Sequence, residues 1–317
     1  MKVLLPTSLP LDVTAPTGSD VTFVPYDVEN PVPEEHTDAE ALVVWGNRRA
    51  LLADAASRLG SLRWVQALAA GPDVVVAAGF APDVVITSGR SLHDGPVAEH
   101  TLGLVLAAVR RLDLMLDAQR EHRWAQELGG VQSSEPSTFP GLGTLDGREV
   151  TVWGFGSIGQ RLAPLLTALG AHVVGVATTA GERAGHPVIT TDELDDRLTT
   201  TDVLVCILPA TPGTAQALDA RRIALLPDHA WVVNVGRGST VDEVALDRAL
   251  RDGSIGGAAL DVTDREPLPA ESPLWTAPRT ILTPHAAGGR PQGASRLVDE
   301  NLTALLAGAP LTNVVER

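Results

Sequence analysis

The sequence has one cysteine and no long run of apolar residues. Cys206 cannot form an internal disulfide, and its place inside an apolar stretch indicates a buried small side chain rather than a nucleophile. No apolar stretch approaches the roughly 18 residues of a membrane-spanning helix. The apolar run at the start of the sequence is too short for a secretion signal. We therefore expect a cytoplasmic protein without a membrane segment.

Positive charge is scarce as well. The chain has 24 Lys and Arg against 39 Asp and Glu, a net charge of −15, and it contains no block of basic residues. Nucleic acids and anionic membrane surfaces bind basic patches, so neither is expected as a partner. The length of 317 residues and the 44% apolar content predict about two globular domains.

A glycine motif follows an apolar, β-branched stretch in the middle of the chain. Residues 150–153 precede three glycines spaced G-x-G-x-x-G, and leucines at helical spacing follow. Strand, glycine turn and helix in this order are the context of a dinucleotide-binding loop, in which the helix N-terminus faces the phosphates. The predicted cofactor-binding residues of this loop are Gly154, Phe155, Gly156, Ser157, Ile158 and Gly159.

Predicted strands and helices alternate through most of the chain. Six strands between residues 149 and 283 alternate with helices, which is typical of a parallel sheet with helices on both faces. Shorter α/β units precede residue 96, and one predicted strand there covers Val74–Ala77. The pattern predicts an α/β fold with a Rossmann dinucleotide-binding domain and a smaller, flavodoxin-like α/β domain.

Three further segments determine the predicted domain organisation. An apolar stripe predicts one long helix from Pro96 to about Trp124, and the Gly-, Ser- and Pro-rich segment 128–147 predicts an arm. A last helix over 292–306 is expected to return to the first domain. The predicted domains are residues 97–287 for the dinucleotide, and residues 1–96 with 288–317 for the substrate.

The residue at the end of the second Rossmann strand bears on the choice of dinucleotide. An acid about 20 residues past the glycines usually binds the ribose hydroxyls, whereas Ala177 stands here. Without that carboxylate, Thr178 and Thr179 can donate hydrogen bonds to a 2′-phosphate and Arg183 can pair with its charge. The sequence favours NADP over NAD. NAD stays open if Glu182 serves as the acid.

Three ionisable residues follow successive predicted strands of the same domain. Arg237 comes after one strand, Glu266 after the next and His285 after the last. The carboxyl ends of parallel strands line the ligand crevice of such folds, so we expect these side chains to lie together. Each alone fits an ordinary loop residue, but the three behind a glycine loop favour catalysis.

The order of these motifs resembles that of the D-isomer-specific 2-hydroxyacid dehydrogenase family. The similar segments lie between about residues 97 and 288, whereas residues 1–96 fit the family's substrate domain in outline. They are Val97–Gly103, Gly154–Gly159, Leu208–Thr211, Asn234–Gly238, Ala259–Val262, Glu266–Leu268 and Thr283–His285. The resemblance implies hydride transfer that interconverts a 2-keto acid and a D-2-hydroxy acid, with the glyoxylate/hydroxypyruvate reductase branch as one candidate.

The resemblance also implies residue roles. His285 exchanges the proton, which suits an imidazole near neutral pH; Glu266 orients it; and Arg237 grips the substrate carboxylate and carbonyl. The amides of Ala70 and Gly71 bind the substrate carboxylate. Further cofactor contacts are implied for Leu208, Pro209, Thr211, Val235, Gly236 and Asp261, the last to the nicotinamide carboxamide. No metal is implied.

Two other functions stay open at this point. Relatives that take a hydride from formate or phosphite are one alternative, and a non-catalytic nucleotide-sensing protein is the other. The resemblance also predicts a homodimer, because relatives use the long helix and the arm to embrace a second subunit.

Overall fold

A computed structural model describes residues 1–129 and 139–316. The chain divides into two compact units, Met1–His93 with Arg290–Arg317, and Asp94–Gly289. The expected boundaries at residues 96 and 288 lie within three residues of these limits. That the first unit binds the substrate stays a prediction.

Thirteen strands and nine α-helices are found in the described ranges. The strands are β1 (Lys2–Pro6), β2 (Thr22–Tyr26), β3 (Ala41–Val44), β4 (Trp64–Ala67), β5 (Val85–Thr87), β6 (Glu149–Trp153), β7 (His172–Ala177), β8 (Gly181–Arg183), β9 (His186–Thr190), β10 (Val203–Cys206), β11 (Trp231–Asn234), β12 (Gly257–Leu260) and β13 (Thr280–Leu282). The helices are α1 (Arg49–Arg58), α2 (Asp73–Val76), α3 (Asp94–Val109), α4 (Leu112–Arg120), α5 (Ser157–Ala168), α6 (Leu194–Leu198), α7 (Ala220–Ile223), α8 (Glu243–Asp252) and α9 (Ala294–Ala307).

The first unit contains a five-stranded parallel sheet in the order β2-β1-β3-β4-β5. This is the flavodoxin-like order. Residues of α9 pack against one face of the sheet, beside Val3 and Trp64, so this helix belongs to the first unit. The expected strand at Val74–Ala77 is wrong: α2 lies there, because the amides of Val76 and Ala77 bond back to the carbonyls of Pro72 and Asp73.

The second unit contains eight strands in the order β13-β12-β11-β10-β6-β7-β9-β8. All pairs are parallel except β8 with β9. The chain adds β7 and β9 on one side of β6 and then β10 to β13 on the other, so the sheet has a switch point between β6 and β10. Alternate residues of β10 enter the two hydrophobic cores on its two faces, which explains its continuous apolar sequence. The α/β fold with a Rossmann domain is confirmed.

The predicted single helix from Pro96 to Trp124 is wrong. Helices α3 and α4 are separate because Arg111 adopts a left-handed conformation, with φ of 51°. Its buried guanidinium pairs with both carboxylate oxygens of Asp113, donates to the carbonyl of Pro140 at 2.5 Å, and lies over the ring of Trp231. These contacts, made partly by residues far along the chain, end the helix although the apolar pattern continues.

The predicted arm, 128–147, lies partly outside the described residues, which resume at Phe139. Its last part is bound within the second unit: the amide of Gly143 donates to the carbonyl of Val109, and the guanidinium of Arg148 donates to the carbonyl of Leu142. In the described ranges, no helix has the length and apolar character to cross a membrane.

Candidate active site

The carboxyl ends of three neighbouring strands bring the expected catalytic residues to one edge of the sheet. In the strand register, Asn234 of β11 lies opposite Leu260 of β12, which lies opposite Leu282 of β13. Arg237 and His285 each follow their strand by three residues. The segments that carry the three predicted catalytic side chains therefore leave the sheet side by side.

His285 and Glu266 form a hydrogen-bonded pair. The ring Nδ1 lies 2.7 Å from Glu266 Oε2, and both side chains are about half exposed. The other carboxylate oxygen of Glu266 accepts the amide of Thr263 at 3.1 Å, so the carboxylate itself is oriented. The pair leaves Nε2 of His285 as the ring nitrogen to exchange a proton with a substrate.

Asp261 organises the loop that carries His285. Its buried carboxylate accepts the amides of Ala286 and Ala287, each at 2.9 Å, and the hydroxyl of Thr283 at 2.5 Å. Its backbone carbonyl accepts the amide of His285 at 2.7 Å. The structure thus places Asp261 beneath the histidine loop, with its oxygens bonded to the protein's own donors. Its expected bond to the nicotinamide carboxamide stays a prediction.

Arg237 lies in a turn held by a buried asparagine. Asn234 accepts the amide of Gly236 at 3.0 Å through Oδ1 and donates to the carbonyl of Arg237 at 3.1 Å through Nδ2. The hydroxyl of Thr240 donates to the same carbonyl at 2.6 Å. Sequence reasoning missed this role of Asn234; a polar residue at the end of an otherwise apolar strand was the available signal.

The loops that carry Arg237 and Glu266 contact each other directly. A Cβ placed on Gly238 would lie 1.8 Å from the carbonyl carbon of Thr263, so no side chain fits there. Glu243, at the start of α8, accepts the amide of Asp264 at 2.6 Å. Burial raises the pKa of the Glu243 carboxyl, against the lowering effect of that bond, and the charges of Asp264 and Glu266 raise it further.

The glycine loop has the shape that a pyrophosphate requires. Gly154 has φ of 101°, and a Cβ there would lie 2.5 Å from the carbonyl oxygen of Ile207 in the neighbouring chain segment. A Cβ on Gly156 would enter open space, so the backbone is approachable at that point, and α5 begins directly afterwards at Ser157. Gly159 packs against the carbonyl of Gly154. These residues fit a dinucleotide.

The residues expected at a 2′-phosphate lie beside this loop. Both Gly154 and Phe155 donate their amides to the carbonyl of Val176, one residue before Ala177. The guanidinium of Arg183 donates to the hydroxyl of Thr179 at 2.5 Å, to its carbonyl at 2.9 Å, and to the carbonyl of Phe155 at 3.4 Å. Arg183 therefore connects the glycine loop with Thr179, next to Thr178. The strands β8 and β9, which are not among the six strands predicted for this unit, form an antiparallel hairpin here, and Arg183 is the last residue of β8.

The remaining expected cofactor residues lie at the ends of β10 and β11. A Cβ on Gly236 would lie 2.5 Å from the carbonyl oxygen of Leu208, so the two segments are in close contact. The amide of Val235 donates a hydrogen bond to the carbonyl of Cys206. Thr214 accepts the amide of Thr211 at 2.9 Å and donates to the carbonyl of Pro209 at 2.6 Å, which closes the turn after β10. These segments lie on the far side of the switch point from β7.

Ala70 and Gly71 belong to the first unit, directly after β4. The two carbonyls before them are held: Leu68 accepts Nε2 of His93 at 2.8 Å, and Ala69 accepts the amide of Gly89 at 2.8 Å. The local sequence does not reveal this contact of His93, because Leu68 lies 25 residues away. The role of Ala70 and Gly71 in binding a substrate carboxylate stays a prediction.

Neither a thiol nucleophile nor a metal centre is found in the part of the chain that the structure describes. Cys206 is buried, and burial raises the pKa of its thiol to about 12. Residues 1–129 and 139–316 contain no group of three or more His, Cys, Asp or Glu side chains placed to hold a metal ion.

Comparison with known sequences gives consistent matches. A family model described as "D-isomer specific 2-hydroxyacid dehydrogenase, NAD binding domain" matches residues 102–287. The chain is 32% identical over 299 residues to glyoxylate/hydroxypyruvate reductase A of Escherichia fergusonii, which covers 89% of this chain and 88% of that protein. It spans about half the length of the D-3-phosphoglycerate dehydrogenases that it also matches.

Comparison with solved structures agrees. A D-isomer specific 2-hydroxyacid dehydrogenase family protein from Aeromonas salmonicida subsp. salmonicida is similar with a TM-score of 0.81 and 29% identity, over 99% of this chain and 98% of that one. A D-isomer specific 2-hydroxyacid dehydrogenase from Xanthobacter autotrophicus Py2, solved in complex with NADPH and MES, gives a TM-score of 0.77 and 32% identity over 95% and 91% of the two chains.

Proposed function

The chain belongs to the D-isomer-specific 2-hydroxyacid dehydrogenase family, an NAD(P)-dependent group of oxidoreductases, and we propose that it reduces a small 2-keto acid to the D-2-hydroxy acid. The observation that carries the proposal is the His285–Glu266 pair, 2.7 Å apart, on a loop beside that of Arg237. A proton donor with an orienting carboxylate and a neighbouring guanidinium are the groups that reduction of a keto acid requires.

The three side chains proposed to react have different roles. Reduced NAD(P), when bound, supplies a hydride to the carbonyl carbon, and His285 supplies a proton to the carbonyl oxygen, so the two together complete the hydroxyl group. Glu266 holds the imidazole by Nδ1 and leaves Nε2 toward the substrate. Arg237 binds the carboxylate and polarises the carbonyl, with a planar fork that lysine lacks.

The proposed cofactor is NADP(H) in preference to NAD(H). Because residue 177 is an alanine, no carboxylate stands at the position expected to bind the adenosine ribose. The guanidinium of Arg183 is hydrogen-bonded to Thr179 and to the glycine loop. The relative from Xanthobacter autotrophicus was solved with NADPH. The ratio of kcat/KM for NADPH and NADH tests this choice, and a strong preference for NADH would contradict it.

The proposed substrates are glyoxylate and hydroxypyruvate. The support is the 32% identity to glyoxylate/hydroxypyruvate reductase A of Escherichia fergusonii, which extends over 88% of that protein. The Ala70-Gly71 turn would bind the substrate carboxylate through its amides. The proposed location is the cytoplasm, as the sequence predicts.

The test follows the absorbance of NADPH with a panel of 2-keto acids. We expect consumption with glyoxylate or hydroxypyruvate, and a fall in kcat of at least about 100-fold in His285→Ala, the usual size of general acid catalysis. NADPH binding, measured by fluorescence, should be unchanged in that variant. Near-normal turnover by His285→Ala would refute its role as the acid.

The same assay separates the alternatives. NADP reduction by formate or phosphite, without activity on keto acids, would assign the chain to that type of relative. Tight NADPH binding without turnover of any of these compounds would favour a nucleotide-sensing protein.

We also propose a homodimer as the assembled form. Leu112, Leu116 and Trp124, on and after α4, are exposed to 42%, 47% and 92%, an apolar surface on the segment that leads into the arm. A second copy of the chain is the proposed occupant of this surface.

A further inference from the structure

His100 has no role in the function described so far, yet it contacts the residues that hold the catalytic histidine loop. It lies on α3, and its Nε2 is 3.1 Å from the hydroxyl oxygen of Thr283 and 3.3 Å from Oδ1 of Asp261. About a quarter of its side chain is exposed. The sequence alone favours a capping or packing role for this histidine within the predicted long helix.

The directions of these hydrogen bonds follow from the groups involved. The carboxylate of Asp261 only accepts, so the single hydroxyl proton of Thr283 is donated to it over 2.5 Å. The oxygen of Thr283 must then accept from His100, which requires a proton on Nε2 of the histidine. His100 therefore donates into a chain that ends on Asp261.

The same carboxylate sets the backbone of the loop that carries His285. It accepts the amides of Ala286 and Ala287, the two residues that follow His285. His285 itself has φ of 53°, a left-handed conformation that is unfavourable for a residue with a side chain and persists only where neighbouring contacts impose it. Asp261 thus fixes the position of the imidazole, because it binds the backbone that directly follows His285.

We propose that His100 is a positioning residue for His285 and acts through Thr283 and Asp261. Its donor keeps the hydroxyl and the buried carboxylate in the orientation that receives the loop amides. Without it, Thr283 can rotate and the loop can relax, and a small displacement of a proton donor has a large effect on rate. The inference rests on the proposed function of His285 as the acid.

The test compares two variants of His100 in the full chain. His100→Leu fills the space without a donor, and His100→Gln keeps a side-chain N–H at similar reach. We expect kcat to fall about 10-fold in the leucine variant, while KM for the keto acid and Kd for NADPH stay within about twofold, because ground-state binding is not affected. The glutamine variant should recover most of the rate.

His229→Leu is the matched control. His229 forms a similar pair with Asp202, 2.7 Å apart, in the same unit but at the amino ends of β10 and β11. Its loss should leave kcat unchanged. A double variant gives a further check: in Thr283→Val, which lacks the hydroxyl, His100→Leu should cost less than it does in the wild-type chain.

A second readout does not need catalysis. Hydrogen exchange at the amides of Ala286 and Ala287 should be faster in His100→Leu, and as slow as wild type in His100→Gln and His229→Leu. Unchanged exchange would overturn the inference even in a chain that turns over no substrate. If the wild-type chain is active, a normal kcat in His100→Leu, or equal loss in the leucine and glutamine variants, would overturn it as well. An inactive wild-type chain with the expected exchange pattern would refute the proposed function and leave the positioning contact supported.

Discussion

At the scale of single residues, the candidate site combines three side chains proposed to react with buried polar side chains that hold their loops. His285, Glu266 and Arg237 are the groups proposed to act on the substrate. Asn234 and Asp261 are almost fully buried, and each bonds the backbone of the turn or loop next to it. Buried polar groups need partners, and here the partners are the turns that present the reactive residues.

Arg237→Lys tests the planar grip on the substrate. Lysine keeps the charge but offers no paired N–H groups, so we expect kcat/KM for the keto acid to fall about 10- to 100-fold, the value of one charge-assisted hydrogen bond. Binding of NADPH should not change. Equal kcat/KM values for the two proteins in the steady-state assay would contradict a bidentate contact.

Glu243→Gln tests the electrostatics beneath the Glu266 loop. Because the pKa of Glu243 is raised in the folded chain, folding favours its protonated form and works against the ionised form. Glutamine keeps the oxygen that accepts the amide of Asp264 and removes the charge. We therefore expect the variant to have the higher Tm at neutral pH.

The difference in stability between Glu243→Gln and the wild-type chain should depend on pH. The advantage of Glu243→Gln should shrink as the pH falls through the raised pKa, and should vanish below the ordinary pKa of a glutamate, where the wild-type side chain is neutral too. Thermal melts of both proteins from acid to neutral pH measure the difference. A wild-type chain that is the more stable at neutral pH would rule this account out.

At the scale of elements, the site depends on two loops that fit closely against each other. The segment after β11 carries Arg237, the segment after β12 carries Glu266, and Gly238 lets the two backbones touch. The close approach explains why residue 238 is a glycine, although its backbone is not left-handed and it lies outside the Gly154–Gly159 loop.

Gly238→Ala tests that fit. The added Cβ would meet backbone rather than a flexible side chain, so one of the loops must move, and we expect a loss of about 1–3 kcal/mol of stability, typical of overpacking. Activity should fall as well, because Glu266 moves relative to His285. Gly60→Ala is the control, since nothing lies within 4 Å of its Cβ position. Denaturant unfolding and turnover are measured for both, and a Gly238→Ala protein that matches the control would disprove the steric argument.

At the scale of the whole molecule, two α/β units divide the proposed work. The unit 94–289 contains the glycine loop and the three side chains proposed to react, and the unit made of 1–93 and 290–317 contains the Ala70-Gly71 turn proposed to bind the substrate carboxylate.

The proposed dimer is tested by sedimentation at micromolar concentration. We expect a species of twice the chain mass of 33.1 kDa, and a shift toward the single chain in Leu116→Asp, because a charge in a buried apolar contact is unfavourable. Val244→Asp is the control, since Val244 is 75% exposed and belongs to α8 rather than to α4 or the arm. A wild-type chain that sediments as a single copy would contradict the proposal.

The sequence by itself determined six of the eight strands of the Rossmann unit and their order, the glycine loop, and the edge at which the segments that carry Arg237, Glu266 and His285 leave the sheet. These features follow from local periodicity and from the rule that parallel strands end together. The same local reasoning mistook α2 for a strand and joined α3 to α4, because β-branched and apolar patterns continue through both places.

Only the tertiary structure decided what holds the site together. The helix break at Arg111 depends on Pro140 and Trp231, and the contact between His100 and Thr283 joins residues 183 positions apart. Buried hydrogen bonds of this kind depend on which groups the packed sheet brings within about 3 Å of each other. No local pattern specifies that, so the residues proposed to react could be named from the sequence, whereas the buried residues that hold their loops could not.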